Sequence, residues 1–289
     1  MRKLFKLGKY LPEYFRPGAK VLESAIYFTL AMGLSFTNWR RYFLLSGSDR
    51  YKFMLKIIYN YNASISNYPN GDGGNEEYVV GNYSAHNQWP DIENYLFKYV
   101  DAGFLNKNGL DFGCGPGRNI INYHARFGSL DGVDVAEFNL KNAARVLDLK
   151  GVKNSNLYLS AGDDLGSVKD SHYHFIFSTI VFQHICVHSI RISILSRMFQ
   201  ALVPGGRISI QMLFGKLSTG MLGAVDYKAN FYAALASNSQ HDCIVQDILD
   251  VKGDLEALGF EEFEHWIRPG GPGFRVGESW LFFTALKPA

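Results

Sequence analysis

The sequence predicts a doubly wound α/β fold: a mostly parallel, seven-stranded sheet with an N-terminal helical extension. Three observations predict it. From about Gln88 to the C-terminus, short β-branched and aromatic runs alternate with stretches of helical period, the pattern of a parallel sheet with crossovers. A glycine loop, LDFGCGPGRN (Leu110 to Asn119), directly follows the first of these strands. The residues before Gln88 have helical period and few strand signals, then a Gly- and Asn-rich stretch. Residues 1–87 are therefore an extension and linker, and residues 88–289 the main domain.

Each element follows from local pattern. Met54, Leu55, Ile57 and Ile58 form an apolar stripe in the extension, and the polar run Asn62 to Glu77 reads as a loop. Trp89 to Val100 is expected as a helix, with Ile92, Leu96 and Val100 on one face. Gly109 to Phe112 is the first strand, and a helix opens at Asn119 and runs to Phe127. Leu130 to Val135 is the second strand, and Phe138 to Leu149 a helix stopped by Gly151. Leu157 to Ser160 and His174 to Val181 are the third and fourth strands. Ile194, Leu195, Met198, Phe199 and Leu202 recur at helical spacing, and Pro204-Gly205-Gly206 stops that helix. Arg207 to Phe214 alternates as a fifth strand. Ile248, Val251, Leu255 and Leu258 mark a last helix, and Phe260 to Ile267 with Ser279 to Leu286 close the sheet.

Composition narrows the function. The chain has 289 residues, 47% of them hydrophobic, enough for a large core. A net charge of +2 argues against a strongly electrostatic nucleic-acid partner. Three scattered cysteines make no disulfide framework and point to a reducing, cytoplasmic setting. The N-terminus is basic and aromatic, with Arg2, Lys3, Lys6, Lys9, Arg16 and Lys20 against Glu13. It precedes an uncharged stretch of 13 residues, Ser24 to Phe36, too short to span a membrane. That segment is expected as a helical cap on the core. It is also a candidate peripheral contact for anionic lipid at the inner membrane face.

The glycine loop decides the ligand class. A dinucleotide loop, G-x-G-x-x-G/A, needs a small residue where Arg118 stands, and no Gly-Lys-Ser/Thr follows for a triphosphate. Asp111, at the strand end, would repel a pyrophosphate and attract a cation. Asp111-Phe112-Gly113-Cys114-Gly115-Pro116-Gly117 resembles the first motif of class I S-adenosylmethionine-dependent methyltransferases, D/E-x-G-x-G-x-G. Further stations resemble the same family in order. Asp134 and Val135 end the second strand, 23 residues past Asp111, and Gly162-Asp163-Asp164-Leu165 follows the third. Phe175 to Ile185, including Ser178 and Gln183, resembles the fourth-strand motif, and Leu202 to Gly206 the turn before the fifth strand.

The resemblance implies a Rossmann-like methyltransferase fold with S-adenosyl-L-methionine as cofactor. It implies that Asp111, Gly113, Cys114, Gly115 and Gly117 surround the amino-acid arm. Asp134 and Val135 would hold the ribose, and Asp163 and Asp164 the adenine. Ser178 and Gln183 would complete the site, and Trp89, just before the core, would fold over the cofactor. His174 stands where the family usually has an acid before the fourth strand, a mainly structural position. Cys114 reads as a small residue that fits the loop, since no basic partner accompanies it.

Methyl transfer to a hydroxyl benefits from a base, and His184, past the fourth strand, is the catalytic candidate; His188 lies one turn further on. His184, Cys186 and His188 lack a third ligand in a metal-binding pattern, so no metal is expected. The segment HNQWPDIENYLF (residues 86–97) is similar to bacterial methyltransferases of cell-surface polysaccharide biosynthesis, which implies a small-molecule or glycan acceptor and O-methylation of a sugar. A lipid or quinone acceptor is the alternative the basic N-terminus suggests. A non-catalytic cofactor-binding module is another. Residues 215–243, with Tyr227, Asn230, Phe231 and Tyr232, are expected to line the acceptor pocket.

Overall fold

The computed structural model describes residues 40, 42, 44–45, 47–66, 91–217, 224–236, 242–270 and 279–289. The expectations for Trp89, for the basic N-terminal stretch and for loop residues 67–77 lie outside these.

The strands in chain order are β1 (Asn108–Phe112), β2 (Ser129–Asp134), β3 (Leu157–Leu159), β4 (Tyr173–Ser178), β5 (Leu202–Phe214), β6 (Ala224–Asp226), β7 (Asp242–Ile244), β8 (Glu261–Pro269) and β9 (Ser279–Leu286). Seven make one sheet in the order β3-β2-β1-β4-β5-β9-β8, and β6 and β7 pair separately. Strands β1 to β5 are parallel, and β9 enters antiparallel between β5 and β8. The chain winds outward from β1 to β3, then returns to β4 on the other side of β1. The strand order therefore reverses between β1 and β4, and the carboxyl ends of these strands open a crevice there.

The helices are α1 (Gly47–Ser66), α2 (Arg118–Tyr123), α3 (Glu137–Leu149), α4 (His188–Ala201), α5 (Phe231–Ala236) and α6 (Ile248–Ala257). Alternation along the strands divides the core between the two faces of the sheet. Ile176 belongs to one buried cluster with Leu110, Val133 and Ile208 and with Ile194 of α4 and Leu255 of α6. Phe175 and Phe177 point the other way, toward Phe97, Ile120 and Phe282. Tyr51, Met54, Leu55 and Ile58 of α1 belong to the first of these clusters, so α1 is packed into the main core.

Four expectations change. The helix α1 runs through Asn62 to Ser66, where a loop was expected; Ala63, one turn beyond Tyr59, is still buried and keeps the stripe on the core. The expected helix to Val100 is a single wide turn, Ile92–Leu96, although Ile92, Leu96 and Val100 are all buried as anticipated. It gives way because the Asp101 carboxylate accepts from Gly103 N (2.8 Å) and starts a new turn. β4 ends at Ser178 instead of Val181, because Ile180 turns into the left-handed region at φ +57°. β5 already begins at Leu202: the pairing with β4 shifts between Tyr173 and Phe175, so Pro204-Gly205-Gly206 is absorbed as a bulge.

Candidate active site

A cleft of about 370 Å³ opens at the carboxyl ends of β1, β2 and β4. That volume lies within the usual range for small-molecule sites, roughly 300–1,000 Å³. Its wall contains Gly113, Cys114, Gly115, Asp134, Val135 and His184, six of the residues singled out in the sequence.

Two glycines in the loop have distinct reasons. Gly113 has φ +77°, and a Cβ there would stand 2.2 Å from Val181 Cγ2, so the loop lies directly against the segment after β4. Gly115 has φ +54°, and a Cβ there would meet nothing within 4 Å; its free side is cleft space. Gly117, by contrast, faces α3, where a Cβ would lie 3.3 Å from Ala143 Cβ. Cys114 is buried against Gly132, whose added Cβ would meet its sulfur at 2.7 Å. Burial, reinforced by Asp134 and Asp111, pushes its thiol well up, which makes it inert at neutral pH.

Asp134 is held from three sides. Its Oδ2 accepts from Gly115 N (2.9 Å), and its Oδ1 from Ala136 N (2.8 Å) and Asn139 Nδ2 (3.2 Å). Burial raises its pKa, and these bonds offset only part of the rise. A carboxylate has about four acceptor positions, so Oδ2 retains capacity toward the cleft. Asp111 is wholly buried in β1, behind the lining, and neither oxygen has a hydrogen-bond partner among the described residues. Burial raises its pKa to about 7, with Asn119 and Arg118 offsetting part of the effect.

The remaining sequence candidates lie outside the lining. Asp163 is ion-paired with Lys52 of α1 at 2.6 Å, and Lys52 also reaches Asp49 at 3.0 Å. Asp164 shapes its own loop, accepting from Ala161 N (2.8 Å) and Gly166 N (3.0 Å). Ser178 donates to the Phe112 carbonyl at 2.9 Å, and Gln183 is buried within the turn that carries His184.

His184 ends a short turn, Phe182–His184, and its amide donates to the Val181 carbonyl at 2.9 Å. Its Nδ1 lies 2.8 Å from Asp242 Oδ1 of β7. His188 is placed elsewhere: its Nε2 is 2.7 Å from Asp254 Oδ2 on α6, and it does not line the cleft. The two histidines spaced four apart thus serve two different carboxylates. Among the described residues no group of three or more His, Cys, Asp or Glu could hold a metal ion. His174, at the position usually acidic, accepts from Asn108 N at 3.2 Å and ties the start of β1. Burial lowers its pKa, and so do the neighbouring charges of Lys107 and His172, consistent with a neutral acceptor.

Sequence reasoning missed the contribution of α1, which brings Leu55 and Tyr59 to the cleft wall. The signal was present in the stripe Met54-Leu55, but a stripe does not say which sheet end it covers. It also placed the aromatic residues after β5 at the acceptor pocket. Tyr227 is instead buried under the Arg191 guanidinium, 4.5 Å from its ring centroid, and Tyr232 is exposed. Among the described residues of that segment, Asp242 is the one that contacts His184.

The fit to an S-adenosyl cofactor rests on two of these features. The open Cβ direction of Gly115 leaves room for an amino-acid arm, and Asp134 beside it offers a carboxylate to a ribose. Residues 110–208 match a family model described as a methyltransferase domain. No curated protein matches the chain. Among solved structures the chain is similar to phosphoethanolamine N-methyltransferase 2 of Haemonchus contortus in complex with phosphomonomethylethanolamine and S-adenosylhomocysteine. The TM-score is 0.56 at 17% identity, over 74% of this chain and 56% of that one. The same enzyme in complex with S-adenosyl-L-methionine gives 0.56 and 17% over 80% and 58%. The chain spans less than two thirds of that enzyme's length, and the likeness is one of fold. The fold is thus the Rossmann-like methyltransferase fold. Among the described residues no helix is long and apolar enough to cross a membrane.

Proposed function

We propose that the protein methylates a hydroxyl of a small-molecule or glycan acceptor, a sugar hydroxyl in the first place. The observation that carries this reading is the position of the His184 imidazole on the same cleft wall as Gly115 and Asp134. When bound, the cofactor supplies a methyl group on a sulfonium, which leaves as a neutral thioether. The residues of the chain do the rest. Asp134 accepts from the ribose hydroxyls, the loop Gly113 to Gly117 makes room for the amino-acid arm, and the buried Asp111 favours a cation there. His184 takes the acceptor's proton. Alignment of acceptor and methyl carbon supplies the larger share of the rate, about 7–11 kcal/mol in well-oriented systems. Residues 1–87 serve the domain at 88–289 through α1, which covers the cleft with Leu55 and Tyr59.

The choice of a sugar is supported by the resemblance of residues 86–97 to polysaccharide-modifying methyltransferases. A second reading, a lipid or quinone acceptor at a membrane surface, is favoured by the apolar wall of Leu55, Ile180, Val181 and Ile185 and by the basic N-terminal sequence. Labelled methyl donor and a panel of sugars, nucleotide-sugars, lipids and quinones separate the readings. Label in a sugar hydroxyl is the expected result. Label in a lipid or quinone alone selects the second reading, and cofactor binding without transfer to any acceptor overturns both.

A further inference from the structure

We infer that Asp242 is a positioning residue, delivered to the site by the segment after β5, which holds the His184 imidazole in the tautomer able to accept the acceptor's proton. The inference rests on the reading of His184 as the base. Its ground is geometric. Asp242 Oδ1 lies 2.8 Å from His184 Nδ1, an ion-pair distance without the alignment of a hydrogen bond, and β7 is tied in place. Val245 N donates to the Leu213 carbonyl and Gly215 N to the Val245 carbonyl, both at 3.0 Å, which fixes the end of β7 to β5. The next residue, Cys243, is wholly buried, its sulfur 3.7 Å from the Phe182 carbonyl and 3.8 Å from that of Ile185, on either side of His184. Arg191, also fully buried, donates to the Ile185 and Tyr227 carbonyls and, at 3.3 Å, to the Cys243 sulfur. The turn bearing His184 and the strand bearing Asp242 are therefore clamped as one unit. His188 has its own carboxylate, Asp254, so the His184–Asp242 pair is separate.

The chemistry follows from the pairing. The negative charge of a carboxylate 2.8 Å from Nδ1 favours the proton of a neutral imidazole on that nitrogen, and the lone pair on Nε2, without an aligned hydrogen bond. The acceptor O–H bond breaks with its proton passing to Nε2, while the oxygen's electron pair forms the bond to the methyl carbon. The methyl–sulfur bond breaks with its pair left on sulfur. The positive charge of the sulfonium thus ends on the imidazolium, where the Asp242 carboxylate opposes it. Among the described residues, the other titratable groups around His184 are Tyr51 and Tyr59 of α1, Cys186 two residues on, and Asp134, Cys114 and Arg118 on or beside the cleft wall. Burial, then the charge of Asp242, raises the Tyr59 hydroxyl, which keeps it protonated.

The test uses the full chain with ¹⁵N-labelled histidine, with Asp242→Asn, Asp242→Glu and His184→Gln, the last also assigning the resonance. In the wild type, neutral His184 is expected as the Nδ1–H tautomer. In Asp242→Asn its titration midpoint is expected to fall by about one pH unit, with kcat toward an acceptor from the panel falling about 10- to 100-fold and KM little changed. Asp242→Glu should recover part of the rate. S-adenosylhomocysteine binding by calorimetry should be unchanged in the two Asp242 variants, which shows that they fold. An unchanged tautomer and midpoint in Asp242→Asn, or an unchanged kcat there while His184→Gln loses it, overturns the inference alone. A wild-type rate in His184→Gln overturns the general-base reading itself.

Discussion

Gly115→Ala separates ligand space from packing space. The new methyl group would meet no protein atom within 4 Å, so the cost to folding is that of an L-residue at φ +54°, about 1–2 kcal/mol. For a chain of this size that lowers Tm by about 2–8 °C. The same methyl group projects into the cleft beside Asp134, where it takes volume from the bound cofactor. Affinity for S-adenosylhomocysteine, measured by calorimetry at a temperature where both proteins are folded, should fall at least about tenfold, or about 1.4 kcal/mol. Gly113→Ala is the counterpart. Its φ cost is similar, but its Cβ would sit 2.2 Å from Val181 Cγ2, and overpacking adds about 1–3 kcal/mol. Its stability loss in denaturant should be roughly twice that of Gly115→Ala. If Gly115→Ala binds S-adenosylhomocysteine as tightly as the wild type, the open direction at Gly115 is not ligand space and the placement of the cofactor is wrong.

Three further outcomes follow from other parts of the structure. Lys52 holds Asp163, the carboxylate expected to meet adenine, so Lys52→Ala should tighten S-adenosylhomocysteine binding by up to about fivefold, the scale of a partly exposed ion pair; unchanged or weaker binding in calorimetry refutes the competition. Burial alone would raise Asp254, but bonds from His188, Lys228 and Tyr227 pull it down to about 2. Its folded pKa lies below the unfolded value of about 3.9, so its contribution is present above pH 4 and lost as pH falls toward 2. Asp254→Asn should therefore cost about 1–2 kcal/mol in urea unfolding at pH 7 and progressively less as pH approaches 2; a pH-independent cost contradicts the pairing. All three cysteines are buried, and burial raises each thiol, so an aromatic disulfide reagent should react with none in the native protein and with three after denaturation.

The order of strands was legible because each core strand is short, apolar and bounded by turn residues, and because the glycine loop fixes where the first one ends. Asp134 and Gly115 were legible for the same reason: they sit at fixed offsets from strand ends. Asp242 was not. It lies 58 residues past His184 in a polar stretch with no period, and only the docking of β7 on β5 brings the two together. Lys52 and Tyr59 were hidden in the same way, because a helical stripe names its buried face but not the neighbour it meets. Ile180 shows a third limit. A β-branched residue in a run of Val and Ile reads as strand, and its left-handed turn comes from the loop packing of Gly113 against Val181, a tertiary effect.

The central claim is that the cleft between the glycine loop and His184 holds S-adenosylmethionine for methyl transfer. A crystal structure with S-adenosylhomocysteine bound tests it most directly. The ribose is expected on the Asp134 carboxylate, the amino-acid arm past Gly115, and the sulfur facing the His184 side of the cleft, with Asp163 released from Lys52 to meet the adenine. A ligand bound elsewhere, or one in the cleft that does not touch Asp134, would contradict the account.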